Sequence, residues 1–88
     1  MVEKVYTIID TAGLHARPST TLVSAVIPFE SEVLLEYKEK QVNLKSIMGV
    51  MSLGIPTGAI VKIVATGNDS EKVIESIDKV MEKEKLAR

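Results

Sequence analysis

The stretch Ile60-Val61-Lys62-Ile63-Val64-Ala65-Thr66 is the clearest strand in the sequence, because β-branched residues fill it and its side chains alternate between two faces. Gly67 ends the strand, and Asn68 and Asp69 then stand where a helix is capped. Apolar residues recur after them at helical spacing, at Val73, Ile74, Ile77, Val80 and Met81. A strand that leads through a short turn into an amphipathic helix is typical of helices packed on a sheet.

Upstream of this unit the sequence predicts three more strands and two more helices. The strands, rich in β-branched residues or alternating in polarity, lie at Val2–Ile9, Glu32–Tyr37 and Gln41–Leu44. The helices lie at Ala16–Ile27, where apolar residues recur at helical spacing, and at Ile47–Leu53, which Gly54 ends. The resulting order, βαββαβα, predicts an α+β sandwich whose helices cover one face of the sheet and leave the other partly open to water.

The length and composition describe one small domain. A chain of 88 residues has room for one core and not two, so residues 1–88 are expected to fold as a single unit. Hydrophobic residues make up 45% and charged residues 26% of the chain, a balance that argues against disorder. Because there is no cysteine, disulfides and cysteine-based metal or redox chemistry are excluded, which fits a reducing cytoplasm.

Two classes of partner are disfavoured by the composition. The formal net charge is -1, with two tyrosines, one phenylalanine and no tryptophan, so neither a basic surface nor stacking platforms for nucleic acid are expected. The apolar stretches are far too short to cross a bilayer, and the first residues do not resemble a signal peptide. We therefore expect a soluble, cytoplasmic protein that contacts neither nucleic acid nor membrane.

The single histidine of the chain stands at the predicted start of the first helix, in Gly13-Leu14-His15-Ala16-Arg17-Pro18. The first amides of a helix lack intrahelical acceptors and carry the positive end of its dipole, so a phosphoryl group on His15 would be partly neutralised there. Arg17 can add a bidentate, charge-assisted contact. A neutral imidazole nitrogen can attack phosphorus, and the hydrogen bond of the other nitrogen determines which one does so.

The same residues also have a simpler interpretation. A single histidine near a helix start is more often a structural cap or a solvated side chain, and Pro18 by itself indicates only that a helix begins. A metal site is disfavoured, because one histidine without cysteine supplies too few of the ligands that metals prefer. No cofactor is predicted either.

Two motifs resemble a known family. Gly13-Leu14-His15-Ala16-Arg17-Pro18 is similar to the phosphohistidine motif of HPr, the histidine-containing phosphocarrier of the bacterial sugar phosphotransferase system. Asn43-Leu44-Lys45-Ser46-Ile47-Met48-Gly49-Val50-Met51-Ser52-Leu53-Gly54 resembles the regulatory-serine region of HPr from Gram-positive bacteria. The resemblance covers essentially the whole chain and implies an open-faced β-sandwich with a four-stranded antiparallel sheet. Ser19 departs from the family pattern, in which a small apolar residue commonly follows the proline.

The resemblance implies roles and partners as well. His15 would accept a phosphoryl group at its Nδ1 atom from phospho-enzyme I and donate it to sugar-specific IIA domains, while Arg17 steadies the phosphate. The protein would be a phosphocarrier, a substrate of phosphotransferases rather than an enzyme. A monomer is the simplest expectation for a carrier of this size.

Ser46 has two expected roles. Its position before Ile47 predicts an N-cap whose hydroxyl accepts a hydrogen bond from a first-turn amide, which contributes about 1 kcal/mol. The surrounding residues resemble the target of HPr kinase/phosphorylase, which implies regulatory phosphorylation of Ser46. The added charge, roughly -1.5 to -2, would repel acidic partner surfaces and hinder transfer at His15.

A docking surface for partner proteins is predicted beside the histidine. An apolar stripe on a short helix is usually part of the core, but Val50 and Leu53 can supply the inward contacts of this one. The resemblance then makes its methionine side an exposed patch, and flexible methionine suits a surface that fits several partners. The predicted patch, from the first two helices, consists of Thr20, Thr21, Ser24, Ile47, Met48 and Met51.

The leading hypothesis is therefore a phosphocarrier for sugar uptake with a second, regulatory phosphorylation. The alternative is a mainly regulatory module that binds a catabolite-control transcription regulator when it is phosphorylated on Ser46. Relatives of that kind lack the active histidine, so the presence of His15 favours the carrier. A third hypothesis, a small-ligand-binding domain of similar build, has little support, because no ligand loop is evident beyond the His15 turn.

Overall fold

The computed structural model describes residues 1–88, and its elements follow the predicted order βαββαβα. The strands are β1 (Val2–Thr7), β2 (Glu32–Tyr37), β3 (Lys40–Asn43) and β4 (Ile60–Thr66). The helices are α1 (Ala16–Val26), α2 (Ile47–Ser52) and α3 (Ser70–Lys83). Each predicted strand and helix is present, with ends that differ from the prediction by at most about two residues, the usual uncertainty of element boundaries. No helix combines the length and the apolar character that a membrane span requires.

The four strands form one antiparallel sheet in the spatial order β1-β4-β2-β3. The last strand of the chain therefore lies inside the sheet, where it pairs with β1 on one side and β2 on the other. The register places Val33 opposite Ala65 and Leu35 opposite Ile63, so that inward-facing apolar side chains lie side by side. The predicted four-stranded antiparallel sheet is confirmed, and its pairing order is a result that periodicity could not supply.

The hydrophobic core lies between the helices and one face of this sheet. Its sheet side is formed by alternate residues of the two central strands, and its helix side by the apolar stripes of the three helices. Its fully buried members include Val33, Leu35, Ile63 and Ala65 from the sheet and Leu22, Val26, Val50, Val73 and Ile77 from the helices. On the opposite face Val5 and Ile60 remain exposed. The open-faced sandwich is thus confirmed.

The hairpin between β2 and β3 turns on two residues without glycine. Lys38 and Glu39 both have positive φ, 49° and 69°. Two successive positive φ values belong to the type I′ turn, whose twist matches that of the paired strands. The strand pairing therefore imposes a conformation that these residues would not choose by themselves.

Asp69 is the N-cap residue of α3, as the sequence predicts, but its side chain makes no hydrogen bond to that helix. Its carboxylate instead accepts hydrogen bonds from the Ser31 hydroxyl and from the amides of Glu30 and Ser31, the amides at 2.9 and 3.0 Å. The Ser31 hydroxyl and the Glu30 amide lower the pKa of Asp69 below its ordinary value. These bonds tie the connection between α1 and β2 to the start of α3.

Candidate functional site

His15 is the residue that precedes α1, and its side chain takes no part in capping the helix. Its backbone is extended, with φ -78° and ψ -170°, and 46% of its side chain is exposed. The first helix amide with a carbonyl partner is that of Ser19, which donates to His15 O at 3.1 Å. The amides of Ala16 and Arg17 thus have no intrahelical acceptor, and Pro18 has no N–H group. An exposed imidazole therefore stands next to unpaired amides at the positive end of a helix.

The turn before His15 is held by close backbone contacts. Gly13 has a φ of 71°, and a Cβ atom on it would lie 2.3 Å from Ile55 O. That oxygen accepts a hydrogen bond from Leu14 N at 2.9 Å. Only glycine combines the positive φ with so close an approach to another backbone. The position of His15 is therefore fixed from the N-terminal side by a contact with the segment that follows α2.

Ser19, which departs from the family pattern, has a structural role at the same turn. It is fully buried, and its Oγ donates to Leu14 O at 3.2 Å. Pro18 has no N–H to offer this carbonyl, and the serine hydroxyl takes its place as the donor. The serine thus adds a second anchor to the residue that precedes His15.

A cavity of about 260 Å³ lies beside the imidazole. It is small for a ligand pocket, since such pockets usually enclose about 300–1,000 Å³. Its lining comes from α1, from the turn before α1 and from the C-terminal end of the chain: His15, Arg17, Pro18 and Thr21, then Asp10, Thr11 and Ala12, then Glu84 and Leu86. The structure therefore brings His15 and Arg17 to one cavity, and it adds Thr21 of the predicted patch.

Asp10 is a further residue of this site that no sequence motif indicated. Its Oδ1 atom lies 3.8 Å from His15 Nε2. The same oxygen accepts a hydrogen bond from Ala12 N at 2.9 Å, which closes a short turn typical of aspartate. The available signal was that Asp10 is the acidic residue nearest to His15 in the sequence. A turn-forming role was sufficient to explain an aspartate there, so its proximity to the ring had to come from the structure.

The C-terminal residues at the site had no signal in the sequence. Ile8 and Ala87 form an isolated antiparallel bridge, and Leu86 O accepts hydrogen bonds from Ile9 N and Asp10 N at 2.8 and 3.2 Å. This pairing brings the end of the chain to the turn before His15. It is a long-range contact between short segments, and neither segment has a periodicity that reveals its partner.

Comparison with known proteins identifies the family. The family model described as "PTS HPr component phosphorylation site" matches residues 2–83. The chain belongs to the HPr family. Members of this family are phosphocarriers of the phosphotransferase system, and that general role applies to this protein.

Solved structures agree with this family membership. The histidine-containing phosphocarrier protein of Mycoplasma is 39% identical, with 99% of each chain covered and a TM-score of 0.95. HPr of Thermoanaerobacter tengcongensis is 41% identical, with 94% of this chain and 93% of that chain covered and a TM-score of 0.89. Crh of Bacillus subtilis, a catabolite repression protein solved as a swapped dimer, is 38% identical, with 96% and 97% covered and a TM-score of 0.73.

The second HPr-like motif places Ser46 immediately before α2. Its Oγ accepts a hydrogen bond from Gly49 N at 3.1 Å, which confirms the predicted N-cap. The side chain is half-buried. The neighbouring Lys45 reaches back to the end of α1, where its Nζ donates to Phe29 O at 2.6 Å. The serine is thus part of a segment that is fixed on both sides.

The apolar side of α2 is exposed, as the HPr resemblance implied. Ile47, Met48 and Met51 are 39%, 84% and 45% exposed, whereas Val50 is fully buried and supplies the core contact of the helix. Met51 and His15 both line a shallow groove of about 390 Å³ between α2 and the turn before α1. The patch is therefore continuous with the histidine, and its role in docking stays a prediction.

The polar residues predicted for the same surface lie along α1. Thr20 and Ser24 are exposed, and Thr21 is half-buried in the cavity beside His15. The hydroxyls of Thr20 and Thr21 donate to Ala16 O and Arg17 O at 2.9 and 3.1 Å. Each hydroxyl oxygen can still accept a hydrogen bond from a partner protein. Their part in docking is likewise a prediction.

Proposed function

We propose that this protein carries a phosphoryl group on His15, which takes the group from phospho-enzyme I and gives it to sugar-specific IIA domains in the cytoplasm. The observation that carries the proposal is the exposed imidazole at the start of α1, in one cavity with Arg17. The family supplies the chemistry of phosphotransfer. The geometry supports His15 as the residue that performs it.

The surroundings of His15 suit an anion that is held briefly. The unpaired amides of Ala16 and Arg17 and the positive end of the α1 dipole oppose the negative charge of a phosphoryl group. The Arg17 guanidinium adds two parallel donors when it turns to the phosphate oxygens. Because the ring is 46% exposed, a partner can reach the phosphorus from the solvent side. The phosphoryl group is thus partly neutralised without being enclosed.

Incubation with enzyme I and phosphoenolpyruvate tests this proposal. The mass of the intact protein is expected to increase by one phosphate, and the phosphate should be released by acid, since a nitrogen–phosphorus bond is acid-labile. His15→Ala should gain no phosphate. Because the ring makes no capping hydrogen bond, this variant should remain folded. An equal gain of mass in His15→Ala would show that another residue is the acceptor.

We also propose that HPr kinase/phosphorylase phosphorylates Ser46 and that this modification slows transfer at His15. The specific support is the location of Ser46 next to the exposed Ile47 and Met48, on the helix whose Met51 shares a groove with His15. A phosphate on Ser46 would place roughly -1.5 to -2 charges at the edge of the predicted docking patch. Partners with acidic docking surfaces would then be repelled. The fold would change little.

Charge-mimicking variants test the regulatory proposal. Ser46→Asp is expected to lower the rate of transfer from phospho-enzyme I, whereas Ser46→Ala should transfer at close to the original rate. Aspartate is a good N-cap, so Ser46→Asp should keep α2 intact. Ser52→Asp is the matched control, because it adds the same charge at the exposed C-terminal end of α2. Equal rates for Ser46→Asp and Ser46→Ala would contradict the proposal.

The alternative function is regulatory binding. The Ser46-phosphorylated form would bind a catabolite-control transcription regulator, and the observation that favours this function is the likeness to Crh, whose name refers to catabolite repression. The two functions use different phosphorylated residues and are compatible in one protein. Binding of the regulator to the Ser46-phosphorylated form, but not to the unmodified form, would support it.

A further inference from the structure

The two ring nitrogens of His15 lie in different electrostatic surroundings. Nε2 is 3.8 Å from Asp10 Oδ1, and no other acidic side chain lies within ion-pair distance of the ring. The other charged groups that line the cavity are Arg17, a cation, and Glu84. The ring therefore has a carboxylate on its Nε2 side. Nδ1 has no side-chain partner.

The position of the Asp10 carboxylate does not depend on the imidazole. Oδ1 accepts from Ala12 N at 2.9 Å, Asp10 N donates to Leu86 O at 3.2 Å, and Asp10 O accepts from Gly13 N at 2.9 Å. These bonds fix both the backbone and the side chain of the residue. A carboxylate oxygen with one hydrogen bond can accept another. Asp10 is therefore preorganised toward the histidine.

We propose that Asp10 is a positioning residue, which holds the proton of His15 on Nε2 and so presents Nδ1 to phosphorus. This inference rests on the proposed function of His15 as the phosphoryl carrier. In neutral imidazole one nitrogen carries the proton and the other carries the free electron pair. A carboxylate beside Nε2 favours the tautomer with the proton there. Buried aspartates orient catalytic histidines in serine proteases in the same way.

With the proton on Nε2, phosphoryl transfer needs no proton transfer at the ring. When the group is accepted, the Nδ1 electron pair forms the bond to phosphorus, and the bond between phosphorus and its donor atom on enzyme I breaks, leaving its electron pair on that atom. The ring becomes a cation that keeps its Nε2 proton. When the group is passed on, an electron pair of the acceptor atom on the IIA domain forms a new bond to phosphorus, the Nδ1–phosphorus bond breaks, and the pair of the broken bond returns to Nδ1. The ring is then neutral again. Asp10 stabilises the cationic stage by its charge.

The distance between the two groups fits this role. At 3.8 Å the pair is about 1 Å longer than a charge-assisted hydrogen bond, which measures about 2.7–2.9 Å. Both side chains are partly exposed, 46% for His15 and 24% for Asp10, so a small rotation of the ring closes the gap. The positive charge that phosphorylation places on the ring increases the attraction. Contacts of this kind commonly shorten as a reaction proceeds.

Nitrogen NMR of the unphosphorylated protein tests the tautomer directly. The chain has one histidine, so the ring signals of the ¹⁵N-labelled protein are unambiguous. At a pH where the ring is neutral, Nε2 should give the signal of a protonated nitrogen and Nδ1 that of an unprotonated one. In Asp10→Asn this difference should shrink toward that of an unconstrained imidazole. The asparagine keeps an acceptor for the Ala12 amide, so the turn is retained.

Glu82→Gln is the matched control. Glu82 is an exposed acid near the C-terminal end of α3 that does not line the His15 cavity. Its replacement removes the same charge and should leave the ring signals unchanged. Unchanged signals in Asp10→Asn, or an equal change in Glu82→Gln, would overturn the inference.

Transfer kinetics supply a second measurement. Asp10→Asn should accept the phosphoryl group from phospho-enzyme I about tenfold more slowly, the lower end of the loss seen when a carboxylate behind a metal-bound histidine is removed. Glu82→Gln should accept it at the original rate. An unchanged rate for Asp10→Asn would contradict the positioning role. If enzyme I does not phosphorylate the unmodified protein, the carrier proposal fails, whereas the NMR comparison, which needs no partner, still decides the role of Asp10.

Discussion

Helices α1 and α2 each begin after a residue with extended backbone, His15 and Ser46. The two residues differ in whether the side chain accepts a hydrogen bond from a first-turn amide. Ser46 accepts a hydrogen bond from Gly49 N, so the start of α2 is closed by its own side chain. His15 makes no such bond, and the start of α1 stays open beside an exposed ring. The same backbone arrangement thus carries a side-chain cap at α2 and leaves first-turn amides without a cap at α1. One side chain makes the difference.

The open start of α1 needs support that α2 does not. The start of α2 is held by a side-chain cap, whereas the His15 side chain contributes no such bond and the start of α1 depends on neighbouring residues. Leu14 supplies the support, because its N–H donates to Ile55 O and its carbonyl accepts from buried Ser19. His15 is therefore held through the residue before it, while its side chain makes no capping hydrogen bond.

The largest expected loss of stability comes from a substitution that displaces the turn before α1 and leaves the start of α2 unchanged. Gly13→Ala would place a Cβ atom 2.3 Å from Ile55 O at a φ of 71°, so the turn must shift. We expect the free energy of unfolding to fall by about 3 kcal/mol, because steric overlap adds to the cost of a left-handed alanine. Urea denaturation measures this loss, and phosphorylation by enzyme I should slow as His15 moves.

Gly58→Ala is the control for this prediction. Gly58 has a φ of 84°, but a Cβ atom on it would meet nothing within 4 Å. Its replacement should cost only the left-handed conformation, roughly 1–2 kcal/mol, and should leave phosphorylation unaffected. Similar losses of stability for the two variants would mean that the contact with Ile55 is not the constraint we assign to it.

A smaller difference in stability is expected between substitutions of the two N-cap residues, Ser46 and His15. Ser46→Ala should lower the free energy of unfolding by about 1 kcal/mol, because the Gly49 amide loses its acceptor. His15→Ala should change it by less than about 0.5 kcal/mol, because no hydrogen bond is lost. The function should respond in the opposite order, with phosphate uptake lost only in His15→Ala. Urea denaturation of both variants gives the comparison, and a larger loss for His15→Ala would reverse our reading of it.

The smallest expected effect is on the pH dependence of stability, and it concerns Asp69 at the start of α3. Its carboxylate accepts hydrogen bonds from Glu30 and Ser31, which are distant in the sequence. The pKa of Asp69 is lowered in the folded protein by the Ser31 hydroxyl and the Glu30 amide. The carboxylate therefore stabilises the fold above its ordinary pKa of 3.8, and this contribution is lost as the pH falls through the lower folded value. Urea midpoints measured between pH 7 and acid should fall less steeply in Asp69→Asn. Glu71→Gln, in the first turn of α3 without these bonds, should keep the original slope.

Much of the fold could be predicted because its signals are local. The alternation in β4, the helical spacing in α3 and the proline and glycine at helix ends each depend on residues close in sequence. Asp69 occupies the predicted N-cap position, but its side chain does not cap α3, and this has a physical reason. An aspartate before a helix can cap it, but the amides of Glu30 and Ser31, brought there by the fold, bind the same carboxylate instead.

The sequence alone determined the element order and the HPr resemblance, and it made His15, Arg17 and Ser46 the candidate site residues, because each of these signals lies in neighbouring residues. Only the tertiary structure decided the strand order β1-β4-β2-β3, the C-terminal wall of the cavity and the approach of Asp10 to the histidine ring. The reason is that pairing between distant segments depends on which surfaces pack together. The repeat of apolar residues every two positions in a strand, or every 3.6 in a helix, shows which face is buried but not which segment packs against it.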